Sequence, residues 1–422
     1  ILTILITICI IIFNRDKLYE AKYTEPKDTL LAITINGEIS TTFPTTNAYI
    51  GTVECTTGTG KVEWNGTKWV LTTSGITKGS TKCNATFITK VPTFAETILA
   101  NNEVKTPITT PGAAISTASE ALLASTEDDY GTSYYFRGAV KNNYVQFANK
   151  CWRIVRVGGD GSVKLILHND NTAGASNPCD AANNSASAAF ARYSGTTYKS
   201  AFNSSYNDNA YVGFKYGTVG ASTYEATHAN TNNSTILTNL ETWYTNNLAA
   251  YESVIDDNAW CNDKTNVTDT TFNLWNWSNV TGLGYGTNTT FYSATQRLVS
   301  KSGSAGGTSP SLKCTGELSK INSKVGLITA DELAFVGYAY GYELQNSTTY
   351  LQENATDTYW WSLSPYYFDG SYASVWNVGG DIGLFGNSYV YSTFGVRPLI
   401  SLKSTTNATG NGTSNSPFII SM

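Results

Sequence analysis

A dense run of aromatic side chains near the C-terminus is the part of this sequence best suited to binding a ligand. Its aromatic members are Trp360, Trp361, Tyr366, Tyr367, Tyr372 and Trp376. Polar residues are interleaved with them, namely Asp369, Asn377 and Asp381. Sugar rings present apolar C–H faces that stack on such aromatic rings, while carboxylate and amide groups bond to the sugar hydroxyls. The run therefore predicts either a glycan-binding surface or the alternating core of a twisted sheet.

These two interpretations divide the run between core and surface. Trp360 and Trp376 are expected to fill the core of a sheet, because alternate residues of a strand face the same side. The tyrosines of the run are expected in a loop at the turn formed by Gly370, where their rings would be accessible. The predicted ligand-binding residues are accordingly Tyr366, Tyr367, Tyr372 and Asp369.

Residues that could catalyse a reaction are scarce. The chain has 2 His, at positions His168 and His228, and both are expected at the surface, one at the end of a strand and one in a polar loop. A Ser-His-Asp or Cys-His site would need one of them. For calcium, Asp369 and Asp381 supply too few oxygen ligands. The sequence therefore predicts no catalytic residues, no metal site and no cofactor.

Six cysteines outside the apolar start of the chain form an even set. Because they lack C-x-x-C spacing and histidine partners, they favour disulfides over a zinc site. Neighbours in sequence are expected to pair, although six cysteines allow many other pairings. The expected pairs are Cys55 with Cys83, Cys151 with Cys179, and Cys261 with Cys314. Such disulfides predict an oxidising, extracellular compartment.

Residues 1–13 are almost continuously apolar and are followed by a charged stretch. A helix needs about 20 apolar residues to cross a bilayer. The segment is interpreted either as the end of a membrane anchor or as a helix that packs with its copies in a filament, although Leu5 stands where type IV pilins usually carry Glu. A cleavable leader lacks support, because no small-residue cleavage site follows Phe13. Residues 1–27 are therefore assigned to an anchor or filament-core helix, with the membrane or further copies as partners.

The composition indicates a globular protein with few charges. Charged residues make up 14% of the chain, whereas about 25% is typical of soluble domains. Ser, Thr, Asn and Gly take the remaining polar positions, so the surface is expected to be neutral and rich in hydrogen-bonding groups. The formal net charge is -5 and no Lys/Arg cluster occurs. Without a basic surface to neutralise phosphates, nucleic acid is excluded as a partner.

Residues 28–92 are predicted to form a small Ig-like β-sandwich. Short segments in which apolar and polar residues alternate, separated by Gly, Asn and Thr, predict strands. Asn65-Gly66, between Trp64 and Trp69, predicts a hairpin with a two-residue turn. Residues 93–127 are predicted to be a linker, because 106–111 is rich in Pro and Thr. A short helix is expected over Ser116 to Ser125.

Residues 128–422 are predicted to form one larger domain. Its first clear feature is a hairpin, CWRIVRV and SVKLILH around a GGDG turn, in which Arg153 and Arg156 are expected on a solvated face. An apolar stripe predicts a helix over 234–255, and Thr329 with Glu332 predicts a capping box that opens a helix over 329–336. Residues 359–420 are again predicted to form strands.

Four motifs in this region carry a resemblance to known proteins. They are CWRIVRVGGDGSVKLIL, KVGLITADELAFVG, WWSLSPYY and FGVRPLISLK. On these motifs the chain resembles a family of uncharacterised bacterial surface proteins whose domain is similar to the C-type-lectin-like fold and to the core of formylglycine-generating enzymes. Some relatives carry prepilin-like N-termini. The positions Phe43, Cys55, Trp64 and Cys83 also resemble a module that precedes this domain in such proteins.

The resemblance implies a fold, and with the composition it implies a function. The expected fold class is α+β and rich in β-structure: an N-terminal hydrophobic helix, an Ig-like sandwich and a C-type-lectin-like domain, whose last strand Arg397 anchors by a buried ion pair or by bonds to backbone carbonyls. The expected function is a membrane-tethered surface adhesin that contacts glycans or host surfaces. A pilin-like filament subunit is the alternative. An enzyme of the formylglycine type is third, because no cysteine follows Cys314.

Overall fold

The computed structural model describes residues 30–77, 79–115, 120–257, 259–274, 283–344 and 349–421. The chain divides into two compact units after Val91. We call them the N-terminal unit and the C-terminal unit. The segment 1–27, assigned above to an anchor or filament helix, lies outside the described residues. Within the described ranges, no helix is long and apolar enough to cross a bilayer.

The N-terminal unit consists of short strands. They are β1 Leu30–Ile35, β2 Glu38–Ser40, β3 Tyr49–Cys55, β4 Thr59–Trp64, β5 Trp69–Ser74 and β6 Lys82–Thr89. Four of them form a sheet in the order β2-β1-β6-β3, in which β1 and β6 run parallel, and β4 pairs with β5 as a separate hairpin. Phe87 of the sheet packs with Val62 and Trp69 of the hairpin, so a small core lies between the two layers.

The predicted hairpin of β4 and β5 is present, but its connecting turn is longer than the two residues predicted. Trp64 pairs directly with Trp69, so four residues connect the strands. The side-chain oxygen of Asn65 accepts hydrogen bonds from the backbone N–H groups of Thr67 and Lys68 at 3.1 and 3.0 Å. This Asx-type turn supplies hydrogen-bond acceptors for backbone N–H groups within the loop. It is present instead of the predicted two-residue turn.

The C-terminal unit contains the remaining elements. Its strands are β7 Ala121–Asp128, β8 Gly131–Gly138, β9 Tyr144–Phe147, β10 Lys150–Val157, β11 Val163–Asn169, β12 Lys199–Ala201, β13 Lys215–Tyr216, β14 Asn232–Asn233, β15 Ile255–Asp256, β16 Ala259–Cys261, β17 Thr290–Phe291, β18 Lys320–Asn322, β19 Trp360–Phe368, β20 Ala373–Val378, β21 Phe385–Tyr389, β22 Thr393–Gly395, β23 Leu399–Leu402, β24 Ala408–Thr409 and β25 Phe418–Ile420. Its helices are α1 Phe94–Asn101, α2 Tyr224–Thr227, α3 Thr235–Asn247, α4 Ser293–Leu298 and α5 Ala330–Val336. The chain is therefore β-rich, as predicted.

Two sheets organise this unit. The larger has nine strands and follows the path β15-β23-β11-β10-β9-β25-β24, with β7 and β8 attached through β10. The smaller has six strands, in which β19 is central and pairs with β17, β20 and β22. One continuous apolar cluster includes residues of both sheets and of α3 and α5. Trp360 and Trp376 are fully buried in it, as expected from their alternation.

The predicted hairpin of β10 and β11 is confirmed, but the expected position of its arginines is wrong. Arg153 is fully buried, and Arg156 is mostly buried. Strand β10 lies inside the sheet, between β11 on one side and β8 and β9 on the other. Both faces of β10 are covered by other parts of the unit. The alternation of polar and apolar residues along β10 therefore does not separate a buried face from a solvent-exposed one. The Arg153 guanidinium pairs with Glu353 at 2.9 Å.

Residues 93–127 are part of the C-terminal unit and do not form a linker. The helix predicted over 116–125 is also wrong: 116–119 lie outside the described residues, and β7 occupies 121–128. Strand β7 pairs with β8 along its whole length. Because this pairing buries Leu122 and Leu123, tertiary contacts override the local helix preference. The buried Glu120 carboxylate also accepts hydrogen bonds from the backbone N–H groups of Ile108 and Thr109.

The short helix of this region is α1. It begins with a capping box formed by Thr93 and Glu96. The Thr93 hydroxyl accepts from the Glu96 backbone N–H at 3.2 Å, and the Glu96 carboxylate accepts from the Thr93 backbone N–H at 2.9 Å. Replacing Thr93 by Ala is expected to lower the free energy of unfolding by about 1 kcal/mol, measured by urea denaturation. Thr245→Ala on exposed α3 surface is the control, with an expected change within about 0.5 kcal/mol. Equal effects of the two substitutions would contradict the capping role.

The two helices predicted in the C-terminal unit are present. Helix α5 begins after Thr329, and the predicted capping box with Glu332 is confirmed. Helix α3 begins after its cap, Ser234, but it ends at Asn247 rather than at 255. Leu248 closes it, and a 3₁₀ turn leads to β15.

All three predicted disulfide pairings are confirmed. Cys55 pairs with Cys83, Cys151 with Cys179, and Cys261 with Cys314. The expected anchoring by Arg397 takes the form of bonds to backbone carbonyls. Its buried guanidinium donates to the Leu167 and Leu351 carbonyl oxygens at 3.0 and 2.6 Å.

Candidate functional site

Two of the four predicted ligand-binding residues lie in the core. Tyr366 and Tyr367 belong to β19, not to a loop, and their exposed fractions are 0% and 8%. The Tyr366 ring packs against Trp376 with ring centroids 4.9 Å apart. Burial raises the pKa of both phenols. The prediction that these two rings are accessible is therefore wrong, because β19 extends through them to Phe368 before the chain turns.

The other two predicted residues lie at the turn that follows. Asp369 and Tyr372 are half-buried, and Asp369 uses one carboxylate oxygen to accept from the backbone N–H groups of Ser371 and Tyr372 at 2.8 and 2.7 Å. This turn connects β19 to β20. It places the Tyr372 ring at one end of the smaller sheet, in contact with rings from elsewhere in the chain.

Tyr372 is part of a cluster of four tyrosines, which we call the tyrosine patch. Its members are Tyr206, Tyr372, Tyr389 and Tyr391. Tyr206 stacks on Tyr372 with centroids 5.2 Å apart and an interplanar angle of 19°. Tyr389 stacks on Tyr391 at 5.8 Å and 17°. Tyr206 and Tyr391 are 39% and 43% exposed, so the patch presents aromatic area to solvent.

Backbone pairing in the smaller sheet fixes the positions of these rings. The loop that carries Tyr206 is bonded to the start of β20, because the Ala373 N–H donates to the Tyr206 carbonyl oxygen at 2.8 Å. The Ala373 carbonyl oxygen in turn accepts from the Val390 N–H at 3.0 Å. Residues just before β20 and just after β21 are thereby held side by side. The patch therefore lies at one end of the smaller sheet, where these backbone hydrogen bonds hold its segments together.

The Asp369 carboxylate lies close to the patch. Partial burial raises the pKa of the Tyr389 phenol, and the Asp369 carboxylate raises it further. Each phenol has an O–H group that can donate and accept hydrogen bonds. The patch therefore offers flat apolar faces, polar tips and one carboxylate.

Local sequence patterns indicate only part of the patch. Tyr389 and Tyr391 follow the aromatic run and alternate at a spacing of two, which is typical of one face of a strand. Tyr206 lies more than 160 residues earlier in the chain. Its contribution depends on the pairing between its loop and β20, and no local pattern predicts that pairing.

A second concentration of polar groups lies beneath the Cys261–Cys314 disulfide. We call it the charged cluster, and its members are Asp128, Arg156, Lys164 and Glu332. Arg156 pairs with Asp128 at 2.8 Å and with Glu332 at 3.0 Å, and Lys164 pairs with Glu332 at 3.1 Å. Burial raises the pKa of Glu332, but the charges of Lys164 and Arg156 outweigh it and bring the pKa to about 2. The cluster is internally paired and acts as a structural network.

The cavities next to the charged cluster are small. Their volumes are about 30 and 20 Å³, which is room for one or two water molecules each. A larger cavity of about 320 Å³ lies elsewhere in the C-terminal unit and is lined by Arg297, Pro310, Tyr342 and small residues. Tyr342 is the one aromatic side chain in that lining. Stacking surface is therefore concentrated at the tyrosine patch and not in a cavity.

Both histidines are buried, contrary to the prediction that they lie at the surface. His168 is on β11, and burial followed by the Arg153 charge lowers its pKa well below the usual value. His228 follows α2, and its Nε2 contacts the Gly284 carbonyl oxygen at 2.8 Å. Among the described residues, no group of three or more His, Cys, Asp or Glu is arranged to hold a metal ion.

Comparison with known proteins identifies one family match. Residues 258–404 match the family described as Domain of unknown function (DUF6273). The range covers less than half of the chain and contains three members of the tyrosine patch, Tyr372, Tyr389 and Tyr391. Searches of curated proteins and of solved structures find no match.

Proposed function

We propose that this protein is a non-catalytic, extracellular carbohydrate-binding protein that contacts glycans through the tyrosine patch. The observation that carries the proposal is the set of four tyrosines that pack together at one end of the smaller sheet, two of them about 40% exposed. Tyrosine combines a large apolar face with a hydroxyl at its tip. That combination matches a sugar ring, which has an apolar face and polar edges.

The charge of the region supports a neutral ligand over an anionic one. Asp369 is the carboxylate next to the patch and raises the pKa of Tyr389 through its charge. Like charges placed near each other repel, and a glycan that carries carboxylates or sulfates would meet that repulsion. We therefore propose uncharged sugars as the ligand class.

Three observations support an extracellular location for this activity. The described part of the chain holds three disulfides, which persist in oxidising compartments. The chain is poor in charged residues, which make up 14% of its sequence. The apolar segment 1–13 would attach the protein to the membrane. The proposed protein is a tethered adhesin whose C-terminal unit has a lectin-like fold.

Removing single rings of the patch is expected to weaken glycan binding. A glycan array probed with the purified, oxidised protein would identify the ligand, and Tyr206→Ala or Tyr391→Ala should each lower the affinity for it. Each aromatic contact contributes about 0.5–1.5 kcal/mol, or roughly a two- to tenfold change in affinity. Tyr342→Ala is the matched control, because Tyr342 is 53% exposed but lies outside the patch.

Two outcomes would count against the proposal. One is an array on which the folded protein binds no glycan. The other is a ligand whose affinity falls in the Tyr342→Ala variant and is unchanged in both patch variants, because binding would then occur in the larger cavity.

A filament subunit is the second candidate function. The observation that favours it is the apolar segment 1–13, which could pack with copies of itself. Electron microscopy of the native cell surface distinguishes the two candidates, since an anchored adhesin forms no helical polymer.

A further inference from the structure

The sequence contains three Asn-Gly pairs, which the structure holds in different ways. They are Asn36-Gly37, Asn65-Gly66 and Asn411-Gly412. In such a pair the backbone nitrogen of the glycine can attack the side-chain Cγ of the asparagine, because the chain itself keeps the two atoms near each other and glycine has no side chain to obstruct the approach. The direction in which the local fold holds the carboxamide then decides how readily this attack occurs.

At Asn65 the loop between β4 and β5 holds the carboxamide on the side of Gly66. The Asn65 Oδ1 accepts hydrogen bonds from the Thr67 N–H at 3.1 Å, the Thr67 hydroxyl at 3.0 Å and the Lys68 N–H at 3.0 Å. The ring of atoms that the Thr67 N–H closes with Oδ1 includes the Gly66 nitrogen. The Asn65 Cγ therefore lies on the same side of the backbone as the nitrogen that would attack it.

The same hydrogen bonds stabilise the charge that the attack creates. When a nitrogen adds to Cγ, an electron pair of the C=O bond moves to Oδ1, which already accepts from three donors. Donors that are in place before the charge develops lower the barrier, as in an oxyanion hole. The Asn65 Nδ2, which must depart, and the Gly66 N–H, which must lose its proton, have no hydrogen-bond partner among the described residues. Gly66 is exposed with open space beside it, so solvent reaches these groups.

Asn36 is held away from its glycine. Its Oδ1 accepts from the Thr89 N–H at 2.8 Å, and its Nδ2 donates to the Thr89 hydroxyl at 2.8 Å. The carboxamide is thus fixed at both ends to β6. Turning it towards Gly37 would break both hydrogen bonds, so the fold opposes the attack here.

Asn411 is held like Asn65, but its glycine has no room to move. The Asn411 Oδ1 accepts from the Thr413 N–H at 3.1 Å and from the Thr413 hydroxyl at 2.9 Å. Gly412 is buried, and a Cβ added to it would lie 2.3 Å from the Asn142 carbonyl oxygen. The Gly412 carbonyl oxygen also accepts from the Tyr144 N–H at 2.8 Å. Ring closure at this pair would displace packed backbone.

We propose that Asn65 is a self-modifying site, which its loop converts to aspartyl and isoaspartyl residues in the folded protein. Solvent hydroxide removes the Gly66 N–H proton, and this nitrogen forms a bond to Asn65 Cγ. The bond from Cγ to Nδ2 breaks, and Nδ2 takes a proton from water and leaves as ammonia. Water then opens the cyclic imide at either of its carbonyl carbons. One opening gives an ordinary aspartyl residue, and the other gives a chain linked through the side chain. The net reaction consumes one water and releases one ammonia.

The conversion changes both the charge and the chain path of the loop. Either product has a carboxylate where the neutral carboxamide was. The isoaspartyl product also lengthens the backbone between Trp64 and Trp69, whose rings pack with centroids 5.9 Å apart. The inference concerns the N-terminal unit and does not depend on glycan binding by the C-terminal unit.

Comparing the folded and unfolded states of the whole protein tests this inference. Purified protein with intact disulfides is incubated in mildly alkaline buffer, with and without urea, and peptide mapping by mass spectrometry follows the exchange of NH₂ for OH at each pair. We expect Asn65 to convert faster in the folded protein than in urea, because only the folded loop supplies the three donors. Asn36 and Asn411 should convert more slowly in the folded protein than in urea.

Substitution of Thr67 tests the role of the donors. Thr67→Ala removes the hydroxyl donor from an exposed loop and should slow the folded-state conversion of Asn65 roughly two- to tenfold. Thr413→Ala, which removes the matching hydroxyl at Asn411, is the control and should leave the rate at Asn65 unchanged. Slower conversion of Asn65 in the folded protein than in urea would overturn the inference. Equal folded-state rates at Asn65 in wild type and Thr67→Ala, or at all three pairs in wild type, would overturn it as well.

Discussion

Replacing Glu332 by Gln is expected to lower the free energy of unfolding of the C-terminal unit by about 3–5 kcal/mol. The Glu332 carboxylate is buried and is the shared partner of Arg156 and Lys164. Removing its charge leaves Lys164 without an ion-pair partner in a fully buried position. Gln retains a side-chain oxygen that can accept from the Thr329 N–H, so the capping box of α5 is preserved. The substitution therefore isolates the effect of the charge.

Urea denaturation followed by near-UV circular dichroism would measure this change. Glu103→Gln is the control, because the pair of Glu103 with Lys105 is exposed at the surface and should contribute about 0–1 kcal/mol. A Glu332→Gln variant as stable as this control would show that the charged cluster contributes no net stability.

The same substitution should change the dependence of stability on pH. The pKa of Glu332 is lowered from 4.5 to about 2 in the folded protein. An acid whose folded pKa is depressed stabilises the fold above its unfolded pKa, and this stability is lost as the pH falls through the folded pKa. Between pH 4.5 and 2, wild-type protein should therefore lose more stability than the Gln variant. Parallel pH profiles would contradict the assignment.

Removing the Cys151–Cys179 disulfide is the second change with a large expected effect. A loop of the 28 residues that separate these cysteines predicts a loss of about 3–4 kcal/mol on replacement of both by Ala, because the unfolded chain gains conformational freedom. Both cysteines are fully buried, next to Tyr144. Urea denaturation of the Cys151→Ala/Cys179→Ala variant measures the loss.

The burial of this disulfide also predicts an order of reduction. Cys261 and Cys314 are partly exposed, so a mild thiol without denaturant should reduce their disulfide before that of the fully buried Cys151 and Cys179. Differential alkylation followed by mass spectrometry reads out this order. Early labelling of Cys151 would contradict the packing described here.

Local signals in the sequence were sufficient for several elements. The capping box of Thr329 and Glu332 lies within one helical turn, and the glycine-rich turn between β10 and β11 requires no information from outside the hairpin. The cysteine pairs also join residues near in sequence. The capping box and the turn were predicted correctly because each depends on contacts between neighbours along the chain. The disulfides span 28, 28 and 53 residues, and their prediction came from pairing each cysteine with the next one in sequence.

Features that depend on distant contacts were predicted poorly. Arg153 alternates with apolar residues as a solvated residue would, but Glu353, 200 positions later, covers it. The segment that includes Leu122 has helix-forming residues, but β8 pairs with it and makes it a strand. In the candidate site, Tyr372 and Asp369 were predicted from the turn that they share. Tyr206 was not predicted, because it lies in a separate loop. Tertiary pairing decided each of these cases.

The affinity of patch variants for the glycan identified on the array tests the central claim most directly. The comparison is between Tyr206→Phe/Tyr391→Phe, which keeps both rings, and Tyr206→Ala/Tyr391→Ala, which removes them, by isothermal titration calorimetry. The Phe variant should bind nearly as well as wild type, and the Ala variant should lose about 1–3 kcal/mol, or roughly five- to hundredfold in affinity. An Ala variant that binds as tightly as wild type would contradict the claim that these rings hold the ligand.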